Sequence, residues 1–158
     1  MITINYPKNG WETIEEKLRE DKKLVWKYNK PGIYCIKVQG QIVYIGKSLN
    51  MLTRIAQHMF EIGRSNQKSH KYQVLRQIKD MGIDIQFDVL KKCYGSTTDE
   101  LYSALGDAEA WYIREHMPLL NYQIPHIGDY YNFDVNRVAQ NVTAAEVLEK
   151  GVKNAIAF

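Results

Sequence analysis

Two β-rich runs separated by only two residues constrain this chain more than any other feature of it. GIYCIKV, residues 32–38, is followed by Gln39-Gly40 and then by QIVYIG, residues 41–46. Runs of β-branched and aromatic residues on either side of a short turn read as a hairpin, and Gly40 can supply the positive φ that a tight turn needs. Alternate residues of a strand share a face, so such a hairpin can bring Tyr34 and Tyr44 close together. Their rings would then pack while their hydroxyls serve a polar site. Taken alone, a tyrosine pair in a hairpin is a packing feature, and Gly32 and Gly46 mark places where a turn or another backbone comes close.

Around the hairpin the pattern changes period. Trp11, Ile14 and Leu18 recur at helical spacing between charges, which predicts an amphipathic helix over residues 11–21, packed as a lid on the core. Asn50 to Ile62 carries Leu52, Ile55, Met59 and Ile62 on one helical face, ended by Gly63 and the polar run GRSNQKS. A further helix over residues 70–81 turns Tyr72, Leu75 and Ile78 inward, and Gly82 stops it. IDIQFDVL, residues 83–90, alternates like a strand with one buried face. Thr97, Thr98, Asp99 and Glu100 offer cap and first-turn residues for a long helix to about Met117, which Pro118 cannot easily prolong. After Asn121 comes a Pro/Gly/Tyr-rich stretch, IPHIGDYYNFD, and then a helix opened by Thr143 with Glu146 three residues on, a capping-box spacing.

With 158 residues, 45% of them hydrophobic and 25% charged, the chain suffices for one globular core with appendages. The formal charge of +3 is only a weak bias toward polyanions. Cys35 and Cys93 lie far apart and read as two reduced, buried thiols, which suits a reducing, intracellular and cytoplasmic setting. The first residues lack the profile of a secretory signal, and no apolar run approaches the roughly 20 residues of a membrane span.

Three residues stand out for chemistry. Arg54 and His58 are four apart and project from one side of their helix, bordering the core without belonging to it. An arginine fork suits a phosphate, and a histidine can relay a proton near neutral pH; a solvated helix face would look the same. Glu109 lies between Tyr102 and Leu105 on one side and Tyr112 and Ile113 on the other, an acid in an apolar or aromatic stripe. If buried, that carboxylate requires a metal ion, an arginine or a hydrogen-bond network opposite, because an unpaired charge there would cost several kcal/mol.

It is the order of these signals that makes them specific: GIY, YIG after nine residues, Arg54 and His58, Glu109, and Asn121 after Pro118. Together with the lysine of YIGKS and the stretches LTRIAQH and EAWYIREHMPLLN, this order resembles the GIY-YIG nuclease domain over residues 31–122. The resemblance implies an α+β fold: a small central antiparallel three-stranded sheet, made of the hairpin and the third strand, flanked by helices. Residues 1–30 then form an N-terminal helical extension and 123–158 a C-terminal helical extension. It further implies a metal-dependent endonuclease acting on nucleic acid, DNA foremost, with Glu109 as ligand of a single Mg2+ or Mn2+. Tyr34 or Tyr44 would take the proton of the attacking water, Tyr34 being the first choice and His58 the alternative. Lys47, Arg54 and His58 would lower the proton affinity of that tyrosine, Arg54 would stabilise the phosphoryl group, and Gly32, Gly46 and Asn121 would support the site.

Two readings compete with catalysis. One is a nucleic-acid-binding module that keeps the fold without turnover. The other is an interaction protein working through Tyr122, Tyr130, Tyr131 and Phe133. No zinc-finger spacing, helix-turn-helix or long basic tail is visible, so specificity is expected from a homo-oligomer or a protein partner.

Overall fold

The computed structural model describes residues 2–3, 10–64, 66 and 68–121. The features expected of the tail, including Tyr122, Tyr130, Tyr131, Phe133 and the helix opened by Thr143, lie outside the described residues.

The hairpin forms as its pattern predicts. Strand β2 (Gly32–Val38) and strand β3 (Gln41–Ser48) are antiparallel, and both turn residues have positive φ, 49° at Gln39 and 80° at Gly40. Positive φ at both central residues is the turn geometry whose twist matches that of the flanking strands. The third strand, β4 (Ile85–Lys92), lies antiparallel on the other side of β2. It is shifted two residues toward the carboxyl end relative to the alternating pattern. A two-residue strand, β1 (Ile2–Thr3), pairs with β4 and makes the sheet four-stranded in the order β1-β4-β2-β3. The three strands expected, β4-β2-β3, are all present, and β1, too short to carry a readable period, adds to their edge.

Helices lie on both faces of the sheet. Tyr34, Ile36, Val38 and Phe87 point to the larger core with Ile14, Leu52, Ile55, Met59, Leu75 and Ile78. These last come from helices α1 (Trp11–Arg19), α3 (Met51–Gly63) and α4 (His70–Asp80). Ile33, Cys35 and Ile45 point the other way and meet Cys93 and Leu105, the latter from helix α5 (Thr98–His116). α1 packs across α3, where Glu15 accepts from Thr53 Oγ1 at 2.7 Å. α2 (Lys22–Tyr28) touches both, and the sequence pattern does not single it out because Asp21 reads as the end of the preceding helix. Asp21 instead begins α2, accepting from the backbone of Lys23 at 2.9 Å and of Leu24 at 3.4 Å.

α5 starts as its capping residues predict, with Thr97 Oγ1 accepting from Glu100 N at 3.1 Å. It ends where Met117 turns left-handed (φ 44°) ahead of Pro118. A short 3-10 turn, Leu119–Asn121, then returns the chain to β3. No helix among the described residues is long and apolar enough to cross a membrane.

Candidate active site

Two β-bulges flank the tyrosines. The β2–β3 register slips between Ile36 and Lys37, leaving Val43 as an extra residue beside Tyr44, and the β2–β4 register slips between Ile33 and Tyr34. Bulges bend a strand and re-aim its side chains. Tyr34 pairs with Gly46 and Tyr44 with Ile36, so both rings stand on the face of the sheet that α3 and α4 cover, with centroids 6.4 Å apart. The Tyr34 ring lies over Gly46 so closely that a Cβ there would collide with its hydroxyl end. At Gly32 a Cβ would meet the Lys91 carbonyl and the Met51 side chain, so both glycines are places of close approach.

Tyr34 is 1% exposed and its hydroxyl lies 2.5 Å from His58 Nε2, while His58 Nδ1 lies 2.8 Å from the hydroxyl of Tyr72 on α4. His58 itself is wholly buried. This corrects the sequence-based placement of His58 at the border of the core. α3 buries a broad face, with His58 among Met51, Leu52, Ile55, Ala56, Met59 and Ile62, and two hydroxyls satisfy both ring nitrogens. Burial, with Arg54 and Lys71 nearby, holds His58 well below the usual histidine range, so the ring is neutral. One nitrogen then donates and the other accepts, which gives the hydroxyls of Tyr34 and Tyr72 opposite roles toward it.

Arg54 lies one turn before His58 in α3, half-buried, with Nη1 donating to Gln57 Oε1 at 3.2 Å and the guanidinium beside the tyrosines Tyr34, Tyr44 and Tyr72. Tyr44 is half-buried and so reaches the surface where Tyr34 does not. Burial raises the proton affinity of both hydroxyls. At Tyr44 the Arg54 charge opposes that rise and the Glu109 carboxylate adds to it. Glu109 therefore stands within electrostatic reach of Tyr44, although α5 packs on the opposite face of the sheet.

Glu109 is half-exposed, and of the nineteen residues of α5 only Leu105 is buried. Its apolar stripe is shallower than the spacing implies, since Tyr102 is 53% exposed, and no deep burial of the carboxylate forces a partner on it. Lys47 is exposed on the α5 side, its ammonium 4.0 Å from where a Cβ at Gly106 would stand. The sheet thus separates Lys47 from the two tyrosine rings. Asn121 pairs with an open stretch of β3: Ile45 N donates to its Oδ1 at 2.7 Å and its Nδ2 donates to Ile45 O at 2.6 Å.

Sequence spacing overlooked two residues here, Tyr72 and Lys71. Helical spacing places Tyr72 on the core face of its helix, where it lies, but its partner His58 is 14 residues away and no local period reveals that. Lys71 is the second residue of α4 and half-buried, with Nζ 4.3 Å from the ring centre of Tyr44 and 4.7 Å from that of Tyr72.

No group of three or more His, Cys, Asp or Glu side chains among the described residues is arranged to enclose a metal ion. One reachable carboxylate beside a hydroxyl-rich surface does fit a hard cation of the Mg2+ kind, which takes one or two carboxylates and fills its other positions with water and substrate oxygens.

The chain's fold is similar to that of solved GIY-YIG nuclease domains. The crystal structure of the GIY-YIG N-terminal endonuclease domain of UvrC from Thermotoga maritima, bound to its catalytic magnesium, is 21% identical over 68% of this chain and 98% of that one, with a TM-score of 0.40. A point mutant of that domain, also bound to the catalytic divalent cation, is 20% identical with a TM-score of 0.39, over 68% of this chain and 97% of its own. No protein-family model matches the chain, and no curated protein does.

Proposed function

We propose that the chain is a divalent-metal-dependent endonuclease of the GIY-YIG type that hydrolyses phosphodiester bonds in DNA. The observation that carries this reading is one assembly of side chains from widely separated positions. Tyr34, Tyr44, Arg54 and His58 converge on one face of the sheet, and the Glu109 carboxylate of α5 acts on Tyr44 electrostatically. The nuclease unit is residues 31–122, with 1–30 and 123–158 as extensions. Cys35 and Cys93, both buried and unbridged, suit an intracellular setting, and a second copy or another protein supplies sequence choice.

Exposure divides the work between the tyrosines. A general base must touch the proton it removes, and Tyr44 reaches solvent while Tyr34 is sealed against His58. The first choice of Tyr34 as base therefore passes to Tyr44, with Tyr34 orienting it and His58 fixing Tyr34. Tyr44 as phenolate takes a proton from water as the water oxygen attacks phosphorus. Arg54 stabilises the charge gathering on the phosphoryl oxygens, and the bond to the leaving oxygen breaks opposite the incoming water. Glu109 would hold the divalent cation, which supplies charge for the leaving oxygen and neutralises the carboxylate that otherwise helps keep the proton on Tyr44. Gly32 and Gly46 let the backbones and the Tyr34 ring approach, Asn121 braces β3, and Lys47 attracts the strand from the α5 side.

The test is single-turnover cleavage of supercoiled and linear DNA with Mg2+ or EDTA, from pH 6 to pH 9. Because Tyr44 holds its proton above the ordinary tyrosine value of about 10, the rate should climb about tenfold per pH unit across that range. Tyr44→Phe should remove both the activity and the slope, and Glu109→Ala should remove activity at an unchanged melting temperature. Cleavage by Glu109→Ala near the wild-type rate would refute the assignment of that residue, and DNA binding without any cutting by the wild type would favour a binding module.

A further inference from the structure

The His58 imidazole is clamped in one orientation. The rings of Tyr34, Tyr44, Tyr72 and Phe87 stand around it with centroids 5.4, 5.7, 5.7 and 6.2 Å away. Held so, Nε2 meets the Tyr34 hydroxyl at 2.5 Å and Nδ1 meets the Tyr72 hydroxyl at 2.8 Å. Tyr34 comes from β2 and Tyr72 from α4, and both side chains are buried, so the two bonds lie inside the protein.

A neutral imidazole carries one ring proton. It gives that proton to one hydroxyl and takes a proton from the other. Whichever tyrosine accepts from the ring keeps its own proton for a different neighbour. Arg54 faces both hydroxyls and offers only donors, so it cannot be that neighbour. Tyr34 has an acceptor beside it: the oxygen of Tyr44, whose proton affinity the Tyr34 hydroxyl lowers as a hydrogen-bond donor does. Glu61 acts on Tyr72 through charge, with its carboxylate turned to Arg64 at 3.4 Å. The reverse order would spend the Tyr34 proton on His58 and take the donor away from Tyr44.

We propose that Tyr72 is a positioning residue that sets the tautomer of His58 and thereby aims the Tyr34 hydroxyl at Tyr44. The donors run one way: Tyr72 O–H to Nδ1, Nε2–H to the Tyr34 oxygen, and Tyr34 O–H toward the Tyr44 oxygen. No proton has to travel along this chain, since its direction alone does the positioning. The consequence for catalysis rests on the nuclease reading, in which Tyr44 acts as a phenolate and gains from a donor at its oxygen. The direction itself rests on the geometry around His58. Tyr72 touches neither the DNA nor the metal in this scheme, so its loss should act on turnover and not on binding.

The experiment reads the ring first. In protein carrying isotope-labelled histidine, long-range proton–nitrogen correlation spectra distinguish the two neutral tautomers. The signal lost in His58→Gln identifies His58 among the four histidines. Without DNA or metal, His58 should carry its proton on Nε2 and leave Nδ1 to accept. A proton on Nδ1 would overturn the chain, whatever the protein does to DNA.

Tyr72→Phe then keeps the aromatic ring and removes the donor, and a cooperative melt shows that the variant is folded. Each tautomer now leaves one ring nitrogen without a partner, so the Nδ1-protonated form should become populated beside the other. Single-turnover cleavage with Mg2+ should slow about tenfold at saturating DNA, with the half-saturating DNA concentration unchanged. A purely structural role would lower the melting temperature and move neither tautomer nor rate. A change in only one of the two also overturns the positioning role. Because Tyr72 acts through Tyr34, the double variant with Tyr34→Phe should be no slower than Tyr34→Phe alone, and multiplied losses would break that link. A wild type that cuts no DNA defeats the nuclease and leaves the tautomers to judge Tyr72. A wild type that cuts with Nδ1 protonated defeats the chain and leaves the nuclease standing.

Discussion

At the scale of single residues, His58 shows how a polar group is kept in a core. Between Tyr34 and Tyr72 it is neutral, satisfied and sealed, and the sequence concealed this because both partners are distant in the chain. Its proton affinity falls on folding, so below the 6.5 of an ordinary histidine the unfolded chain binds a proton that the folded chain refuses. Stability should therefore be independent of this group above about pH 7 and decline as the pH drops through 6.5, by up to about 1.4 kcal/mol per pH unit. Urea unfolding of wild type and His58→Gln between pH 5 and pH 8 checks this. The amide can still donate and accept but cannot titrate, so the variant should lose that component of the slope whatever its absolute stability. Identical slopes in the two proteins would mean that His58 is protonated in the fold. The residue types of the site were legible from their order along the chain. Their depth was not: Glu109 proved shallower and His58 deeper than helical spacing suggests, because spacing ranks faces without measuring what covers them.

Elements were legible in proportion to their length and regularity. The hairpin, α3, α4 and α5 follow from periodicity and cap residues to within about two residues. α2 was hidden because Asp21 looks equally like the end of one helix and the start of the next, and β1 is too short to have a pattern. The bulges beside Tyr34 and Tyr44 have no local signature at all, since they come from the mismatch between two strands. The 3-10 turn at Leu119–Asn121 matters through one side chain. The amide of Asn121 gives Ile45 the donor and acceptor that a neighbouring strand would otherwise provide, on the open side of β3. Asn121→Ala should cost about 1–3 kcal/mol, and it should leave an unpaired edge that promotes self-association, seen by sedimentation. Asn121→Asp retains the acceptor but cannot donate to Ile45 O, so it should also be destabilised. If both variants melt and sediment like wild type, the bracing role is lost.

At the scale of the whole molecule, the sheet divides two unequal cores. Among the described residues, four helices and most of the large buried side chains lie on one face, while α5 holds to the other through buried Leu105 and the partly buried Leu101, Ala108, Tyr112 and Ile113. Hydrogen exchange should reveal this inequality: amides of α5 should open at a lower free energy than those of α3 and β2, as a unit and short of global unfolding. Equal protection across all three would show that the thinner layer is no weaker. The proposed site straddles the same divide, with hydroxyls and cations rooted in the thick layer and Glu109 in the thin one. Anything that grips Glu109 and the Arg54 surface together would act as a rivet through the edge of the sheet, fastening the loosely held helix to the firmly held face. In such a protein, ligand occupancy would be readable far from the ligand, in how reluctantly the α5 layer peels away.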